Sequence, residues 1–204
     1  MLEYYLQSFY HRYFTFPFIK LDVIRSVSPN FFTFMSCLTG IGVFPMLWLG
    51  QYSMATLLLL LSGYCDSMDG VLARSSNQTS VNGAVYDIMS DRMVECAVIL
   101  GLFSMDPAQR GGLSLAMLSS ILICVTSFLV VGIFIQNSTQ KSFYYSPGMI
   151  ERAEAFIFFI AMIWLPRYFN LLASIFTILV FFTAFLRIYQ FVKNQKNNPS
   201  RSYI

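Results

Sequence analysis

Four aspartates lie close together in the sequence at spacings that suit metal binding. Asp66 and Asp69 are three residues apart, and Asp87 and Asp91 are four apart. In helices, each of these spacings puts the two side chains on one face. The four side chains offer only oxygen, and oxygen ligands suit hard divalent cations such as Mg²⁺ or Mn²⁺. Such ions keep open positions for phosphate oxygens, so the pattern predicts a metal site for phosphate chemistry.

The rest of the chain predicts what kind of element carries these aspartates. Its 204 residues include only 11% charged residues, against about 25% in a soluble domain. The mean hydropathy is +0.61. Apolar residues come in long runs, and a helix that is apolar all round is either buried or faces lipid. A chain of this length has too little interior to bury several such helices, so we predict an all-α integral membrane protein.

The apolar runs predict six transmembrane helices in one domain spanning residues 1–204. A span needs about 20 mostly apolar residues. An amphipathic interfacial helix is expected over 1–28, including the single histidine, His11, as an interfacial side chain. A six-helix bundle is expected over 29–193 and a polar cytoplasmic tail over 194–204. The approximate spans are 30–49, 53–72, 81–103, 113–135, 149–165 and 169–191.

The basic residues predict the orientation of the chain. With six spans, every lysine and arginine except Arg110 and Arg167 falls on or near one side of the membrane. The positive-inside rule makes that side cytoplasmic, together with both termini and the aspartates. We see no secretory signal peptide, because charged residues interrupt the first 25 residues. The four cysteines all fall in apolar runs, so we expect no disulfide framework.

The predicted depth of the aspartates favours a function over a structural role. A hairpin of the second and third spans brings both pairs together, with Glu95 one turn beyond Asp91, and charges inside a bilayer are costly. Divalent cations would relieve the repulsion among the carboxylates. Asp66 and Asp69 could instead cap a helix, but carboxylates are favoured at helix N-termini rather than C-termini.

Residues 66–91 also resemble a family signature. They read D-S-M-D-G-V-L-A-R, then eight residues, then G-A-V-Y-D-I-M-S-D. The pattern is similar to that of the CDP-alcohol phosphatidyltransferase family, D-x2-D-G-x2-A-R-x8-G-x3-D-x3-D, at every fixed position. Two less specific features extend the likeness over most of the chain: the segment S-P-N-F-F-T from Ser28 to Thr33, and the six-span layout.

The resemblance implies roles for the signature residues. Asp66, Asp69 and Asp87 would hold two Mg²⁺ or Mn²⁺ ions, and Asp91 would complete that centre and act as general base. It also implies a homodimer whose polar cavity opens to the cytoplasm, in a bacterial inner membrane. The CDP group would be bound by six of these positions: Asp66, Asp69, Gly70, Ala73, Arg74 and Gly83. Taken singly, Gly70 and Gly83 could be helix-packing residues, and Arg74 could be a topology anchor.

The function expected from the resemblance is transfer of a phosphatidyl group from CDP-diacylglycerol to a small hydroxylated acceptor, with release of CMP. The acceptor would be of the glycerol 3-phosphate or inositol phosphate type. Its phosphate needs a cation, and the candidates are Arg152, Arg92 and Lys141. Arg152 could instead pair with Glu151 or Glu154 and help to set topology. The expected partners are these substrates, the lipid bilayer and a second copy of the chain, and no nucleic acid.

Three other functions remain open from the sequence. The chain could transfer a phosphoalcohol from CDP-choline or CDP-ethanolamine to diacylglycerol, because the signature does not separate the two donor classes. It could be a non-enzymatic ion transporter, since intramembrane carboxylates also mark ion pathways. The predicted fourth and sixth spans contain no acidic residue, however, which argues against a path across the membrane. It could also be a pseudoenzyme, although the signature is intact.

Overall fold

The computed structural model describes residues 28–76, 80–134 and 152–197, and within these ranges the chain is helical with short connections and no strand. The all-α prediction is therefore confirmed. Apart from Ser28, the predicted interfacial helix lies outside the described residues, as do Lys141 and Glu151. The helices are α1 (Pro29–Ile41), α2 (Val43–Trp48), α3 (Tyr52–Ser75), α4 (Val81–Met105), α5 (Pro107–Phe134), α6 (Arg152–Trp164) and α7 (Phe169–Asn197), with a 3-10 turn over Pro166–Tyr168.

Four helical segments in the described part of the chain are long and apolar enough to cross a membrane. They are Pro29–Trp48, which joins α1 and α2, and then Tyr52–Ser75, Pro107–Phe134 and Pro166–Lys193. Large apolar side chains such as Phe34, Leu122 and Ile178 point outward from them, as lipid contact requires. The protein is therefore an integral membrane protein.

The two other predicted spans correspond to helices of different character. α4 has 25 residues, but four of them are charged: Asp87, Asp91, Arg92 and Glu95. α6 has 13 described residues and follows a part of the chain that the structure does not describe.

The first predicted span is a helix with a break in it. α1 ends at Ile41 and α2 begins at Val43, with Gly42 between them. Pro45 explains the break, because its nitrogen has no hydrogen for the Ile41 carbonyl and its ring crowds that carbonyl. Both parts still belong to one membrane-spanning segment.

Contacts between helices show their relative directions. α1 runs antiparallel to α3, since Thr33 meets Asp69 and Ser36 meets Ser62. α6 also runs antiparallel to α3: Arg152 meets Asp66 near one end of the pair. α4 runs parallel to α1, so the start of α1, the late part of α3, the early part of α4 and the start of α6 lie at one end of the bundle. We call this the carboxylate end, and the opposite one the far end.

Close packing between the helices fixes these positions. A Cβ at Gly40 in α1 would lie 2.3 Å from Cγ2 of Val94 in α4 and 2.9 Å from Oγ of Ser62 in α3. Only glycine allows three helices to approach so closely at that point. At Gly63, a Cβ would lie 2.9 Å from the Phe156 ring of α6. These contacts hold α1, α3, α4 and α6 around the carboxylate end.

Candidate active site

Three of the four predicted metal-binding aspartates converge at the carboxylate end. One carboxylate oxygen from each of Asp66, Asp69 and Asp87 lies within 4.8 Å of the other two. α3 presents Asp66 and Asp69 one turn apart, and α4 brings Asp87 across from its second turn. Asp69 is buried, with 6% of its surface exposed, and the other two are half-buried. We call these residues the aspartate triad.

The charge of the aspartate triad fits a divalent cation. Within the described ranges, no lysine or arginine forms an ion pair with Asp69 or Asp87. Carboxylates this close together repel one another, and the repulsion is stronger in a partly buried site than in water. The oxygen donors and their mutual approach suit Mg²⁺ or Mn²⁺, which take carboxylate ligands and leave room for phosphate oxygens.

Asp91 lies beside the aspartate triad but has different partners. Nη1 of Arg152 contacts Oδ1 of Asp91, and the same nitrogen lies 2.5 Å from Oδ1 of Asp66. Nη2 of Arg92 is 3.6 Å from Oδ2 of Asp91, and Nη1 of Arg92 is 2.7 Å from Oε2 of Glu95. The structure thus brings three of the predicted ligands together and leaves Asp91 outside that group, joined to Asp66 through Arg152.

One nitrogen of the Arg152 guanidinium is available to bind a ligand. Nη2 of Arg152 is buried and has no hydrogen-bond partner among the described residues. The guanidinium carbon lies 5.4 Å from the centre of the Phe156 ring, a distance at which a cation is attracted by the ring face. A buried, unpaired guanidinium nitrogen next to a carboxylate cluster is a ready partner for an anion such as phosphate.

The other predicted site residues that the structure describes lie on α3 and α4, the two helices that carry the aspartate triad. Lys141 lies outside the described residues. Arg74 folds back over Gly70, with Nη1 3.3 Å from where a Cβ of that glycine would be. Gly83 lies in the first turn of α4, where its N–H donates to Oγ of Ser80 at 3.0 Å. Ala73 is half-buried one residue before Arg74.

Two contacts at the site were not predicted from the sequence. Arg152 pairs with Asp66 and Asp91, although the sequence suggested only its neighbours Glu151 and Glu154 as partners. Thr33 of α1 is buried and donates from Oγ1 to Oδ2 of Asp69 at 2.5 Å. The segment S-P-N-F-F-T was a signal for that second contact, but its spacing could not reveal the partner.

Comparison with known proteins identifies the family. The family model for CDP-alcohol phosphatidyltransferase matches residues 26–189. "Inner membrane protein YnjF" of Escherichia coli (strain K12) is 29% identical over 170 residues, covering 80% of this chain and 82% of that protein. An uncharacterized protein of Aquifex aeolicus (strain VF5) is 31% identical over 179 residues, covering 85% and 87%.

A relative with a named activity and a solved structure also match. "Phosphatidylinositol phosphate synthase" of Streptomyces avermitilis is 30% identical over 159 residues, which cover 77% of this chain and 64% of that protein. The structure of Mycobacterium tuberculosis phosphatidylinositol phosphate synthase (PgsA1) with CDP-DAG bound has the same fold, with a TM-score of 0.60 at 18% identity, over 81% of this chain and 87% of that one. The aspartate pattern and these matches agree: the chain belongs to the CDP-alcohol phosphatidyltransferase family.

Proposed function

We propose that this protein transfers a phosphatidyl group from CDP-diacylglycerol to a small hydroxylated acceptor, and that CMP is released. The observation that carries the proposal is the convergence of Asp66, Asp69 and Asp87 within 4.8 Å at one end of an apolar helix bundle. Carboxylates at such a site can hold divalent cations against a diphosphate, and a lipid substrate can reach them from the bilayer.

The aspartate triad would hold two Mg²⁺ or Mn²⁺ ions, with Asp91 at the edge of the centre. Bound there, the ions would neutralise the diphosphate and stabilise charge on the departing CMP. Gly70 and Gly83 have no side chain of their own on the two helices of the site, and CDP would lie against them. Arg74 and Ala73 complete that surface, and the Arg74 guanidinium can pair with a phosphate oxygen.

Asp91 would act as the general base. It would take the proton of the acceptor hydroxyl as the new oxygen–phosphorus bond forms and the bond from phosphorus to CMP breaks. Arg152 contacts the carboxylate of Asp91, so the acceptor has to displace Arg152 before Asp91 can accept a proton. A phosphate on the acceptor would do so, because the buried Nη2 of Arg152 has no hydrogen-bond partner in the part of the chain that the structure describes. Arg92, and Lys141 beyond the described residues, are further candidates for this phosphate.

The choice of donor and acceptor is supported by the relatives. One similar protein is named as a phosphatidylinositol phosphate synthase, and the structure that shares the fold is a phosphatidylinositol phosphate synthase with CDP-DAG bound. The CDP-DAG bound in that structure supports CDP-diacylglycerol as donor, and both names support a phosphorylated alcohol as acceptor. Transfer from CDP-choline or CDP-ethanolamine to diacylglycerol is the alternative that the same aspartates would serve.

The membrane arrangement belongs to the proposal as well. Six spans, with α4 and α6 crossing beside the four strongly apolar segments, would put both termini and the carboxylate end in the cytoplasm. Water-soluble acceptors would then reach the site from the cytoplasm, while the lipid donor enters from the bilayer. A homodimer in a bacterial inner membrane is the expected assembly, and the match to an inner membrane protein of E. coli supports that location.

CMP release by the purified protein tests the proposal. The protein in detergent, with Mn²⁺ or Mg²⁺ and CDP-diacylglycerol, would be given glycerol 3-phosphate, inositol phosphate, inositol, serine or phosphatidylglycerol. We expect CMP release that depends on one phosphorylated acceptor and falls by about 10²- to 10⁴-fold in Asp91→Asn. Release only from CDP-choline or CDP-ethanolamine with diacylglycerol would favour the alternative. No release from any donor by folded protein would overturn the proposal.

A further inference from the structure

Thr33 joins the first helix to the aspartate triad. Its Oγ1 donates to Oδ2 of Asp69 at 2.5 Å, across 36 residues of sequence. Another acceptor, the Pro29 carbonyl in its own helix, is 3.4 Å away. A hydroxyl has one proton to donate, and the shorter contact to a charged acceptor is the stronger one. The hydroxyl of Thr33 therefore donates its hydrogen bond to the carboxylate of Asp69.

The same residue also meets α4. Oγ of Ser90, which lies between Asp87 and Asp91 in the sequence, is 3.5 Å from the Thr33 carbonyl oxygen. Thr33 and Ser90 are both buried. One residue of α1 thus contacts the helix that carries Asp69 and the helix that carries Asp87.

The burial of Asp69 makes this contact important. Asp69 is the most buried member of the aspartate triad, and within the described part of the chain it forms no ion pair. A carboxylate whose oxygens have no hydrogen-bond or ion-pair partner can rotate about its last torsion. The hydrogen bond from Thr33 to one oxygen restricts that rotation, and the remaining lone pairs stay available to a cation.

We propose that Thr33 is a positioning residue of the metal centre, which orients Asp69 to bind a divalent cation. Hydrogen-bond partners of metal-binding carboxylates act in this way, and their loss costs about 10- to 100-fold in metal affinity or activity. The inference rests on the metal site of the proposed function. It assigns a role to a residue outside the fixed positions of the signature.

The test compares Mn²⁺ binding by the full-length protein and three variants, with no donor or acceptor present. Thr33→Val keeps the shape and removes the hydroxyl, so its dissociation constant for Mn²⁺ should rise about 10- to 100-fold. Thr33→Ser keeps the donor and should stay within about threefold of the wild type. Thr39→Val is the matched control, because the Thr39 hydroxyl bonds only carbonyls of its own helix, at 2.7 and 3.2 Å, and should leave Mn²⁺ affinity unchanged.

Two further measurements separate positioning from general damage. Saturating Mn²⁺ should restore CMP release by Thr33→Val, since the site is weakened rather than removed. If Thr33→Val does not fold, Thr33→Cys, with a weak S–H donor, should bind Mn²⁺ with an affinity between the wild type and the loss expected for valine. Wild-type Mn²⁺ affinity in folded Thr33→Val or Thr33→Cys overturns the inference.

The outcomes for the positioning role and for the transfer reaction can be told apart. Weaker Mn²⁺ binding by Thr33→Val, in a protein that releases no CMP, keeps the positioning role and rejects the reaction. Unchanged Mn²⁺ binding with normal CMP release rejects the positioning role alone. A wild-type protein that binds no Mn²⁺ rejects both.

Discussion

The two ends of the bundle hold arginines in opposite surroundings. At the carboxylate end, Arg152 contacts Asp66 and Asp91. At the far end, Arg110 has no acid among its hydrogen-bond partners within the described ranges: it donates to the Leu102 carbonyl at 3.1 Å and to Sδ of Met105 at 3.2 Å. Its guanidinium lies 4.4 Å from the centre of the Phe169 ring.

The difference separates a site from a structural contact. Leu102 is in the last turn of α4, where helix carbonyls lack partners and a cation is favourable. Arg110 satisfies that need with its hydrogen bond to the Leu102 carbonyl. At the carboxylate end, acidic groups outnumber the cations that reach them, so a ligand cation is required. We therefore expect substitutions at the carboxylate end to change chemistry and those at the far end to change stability.

The largest effect should follow Asp87→Asn. CMP release should fall by about 10³-fold, because metal stabilisation of developing charge contributes several kcal/mol. The metal-free protein should melt at the same temperature as the wild type or higher, since one of three mutually repelling carboxylates is gone. Activity assays and thermal melts without metal measure both. Near-normal CMP release would show that Asp87 is not a ligand.

Arg152→Gln should have the next largest effect. The KM for a phosphorylated acceptor should rise about 30-fold, because a charge-assisted hydrogen bond of about 2 kcal/mol is lost. The KM for CDP-diacylglycerol should change by less than about threefold, since the proposed function assigns this arginine to the acceptor. Arg152→Lys is the control and should recover part of the affinity. An unchanged acceptor KM would return Arg152 to a purely structural role.

Arg110→Leu tests the far end. It removes the donor from the Leu102 carbonyl, so the free energy of unfolding should fall by about 2 kcal/mol. The kcat per folded molecule and the Mn²⁺ affinity should stay as in the wild type. Arg167→Gln removes an exposed charge just before α7 and should alter neither quantity. Loss of kcat in stable Arg110→Leu would show that the two ends are coupled.

Local contacts were predictable from the sequence, and contacts between distant segments were not. The steps from Asp66 to Asp69 and from Asp87 to Asp91 follow from helix geometry, and the long apolar runs predicted the helices. Even the break before Val43 had a signal, Pro45, which the prediction of a continuous first span overlooked.

The missed contacts are those that join remote parts of the chain. The Arg152–Asp66 contact joins residues 86 apart, and the Thr33–Asp69 contact joins residues 36 apart. Contacts of this kind depend on how the helices cross. The spacing of residues within one helix cannot predict that crossing. The sequence therefore predicted which residues bear charge at the site but not which arginine or hydroxyl would hold each carboxylate.

The smallest effect should come from Trp164→Phe, which tests the same helix pair, α3 and α6, away from the aspartates. Nε1 of Trp164 donates to Oγ1 of Thr56 at 3.0 Å, at the far end from the Arg152–Asp66 contact. Hydrogen bonds between membrane helices are worth about 0.6 kcal/mol on average, so the free energy of unfolding should fall by about that amount.

A double-mutant cycle with Thr56→Val measures the coupling of this pair directly, and CMP release should stay unchanged in all three variants. A fall in CMP release without a matching loss of stability would mean that the far end of α6 controls where Arg152 lies, and the separation between the two ends would not hold.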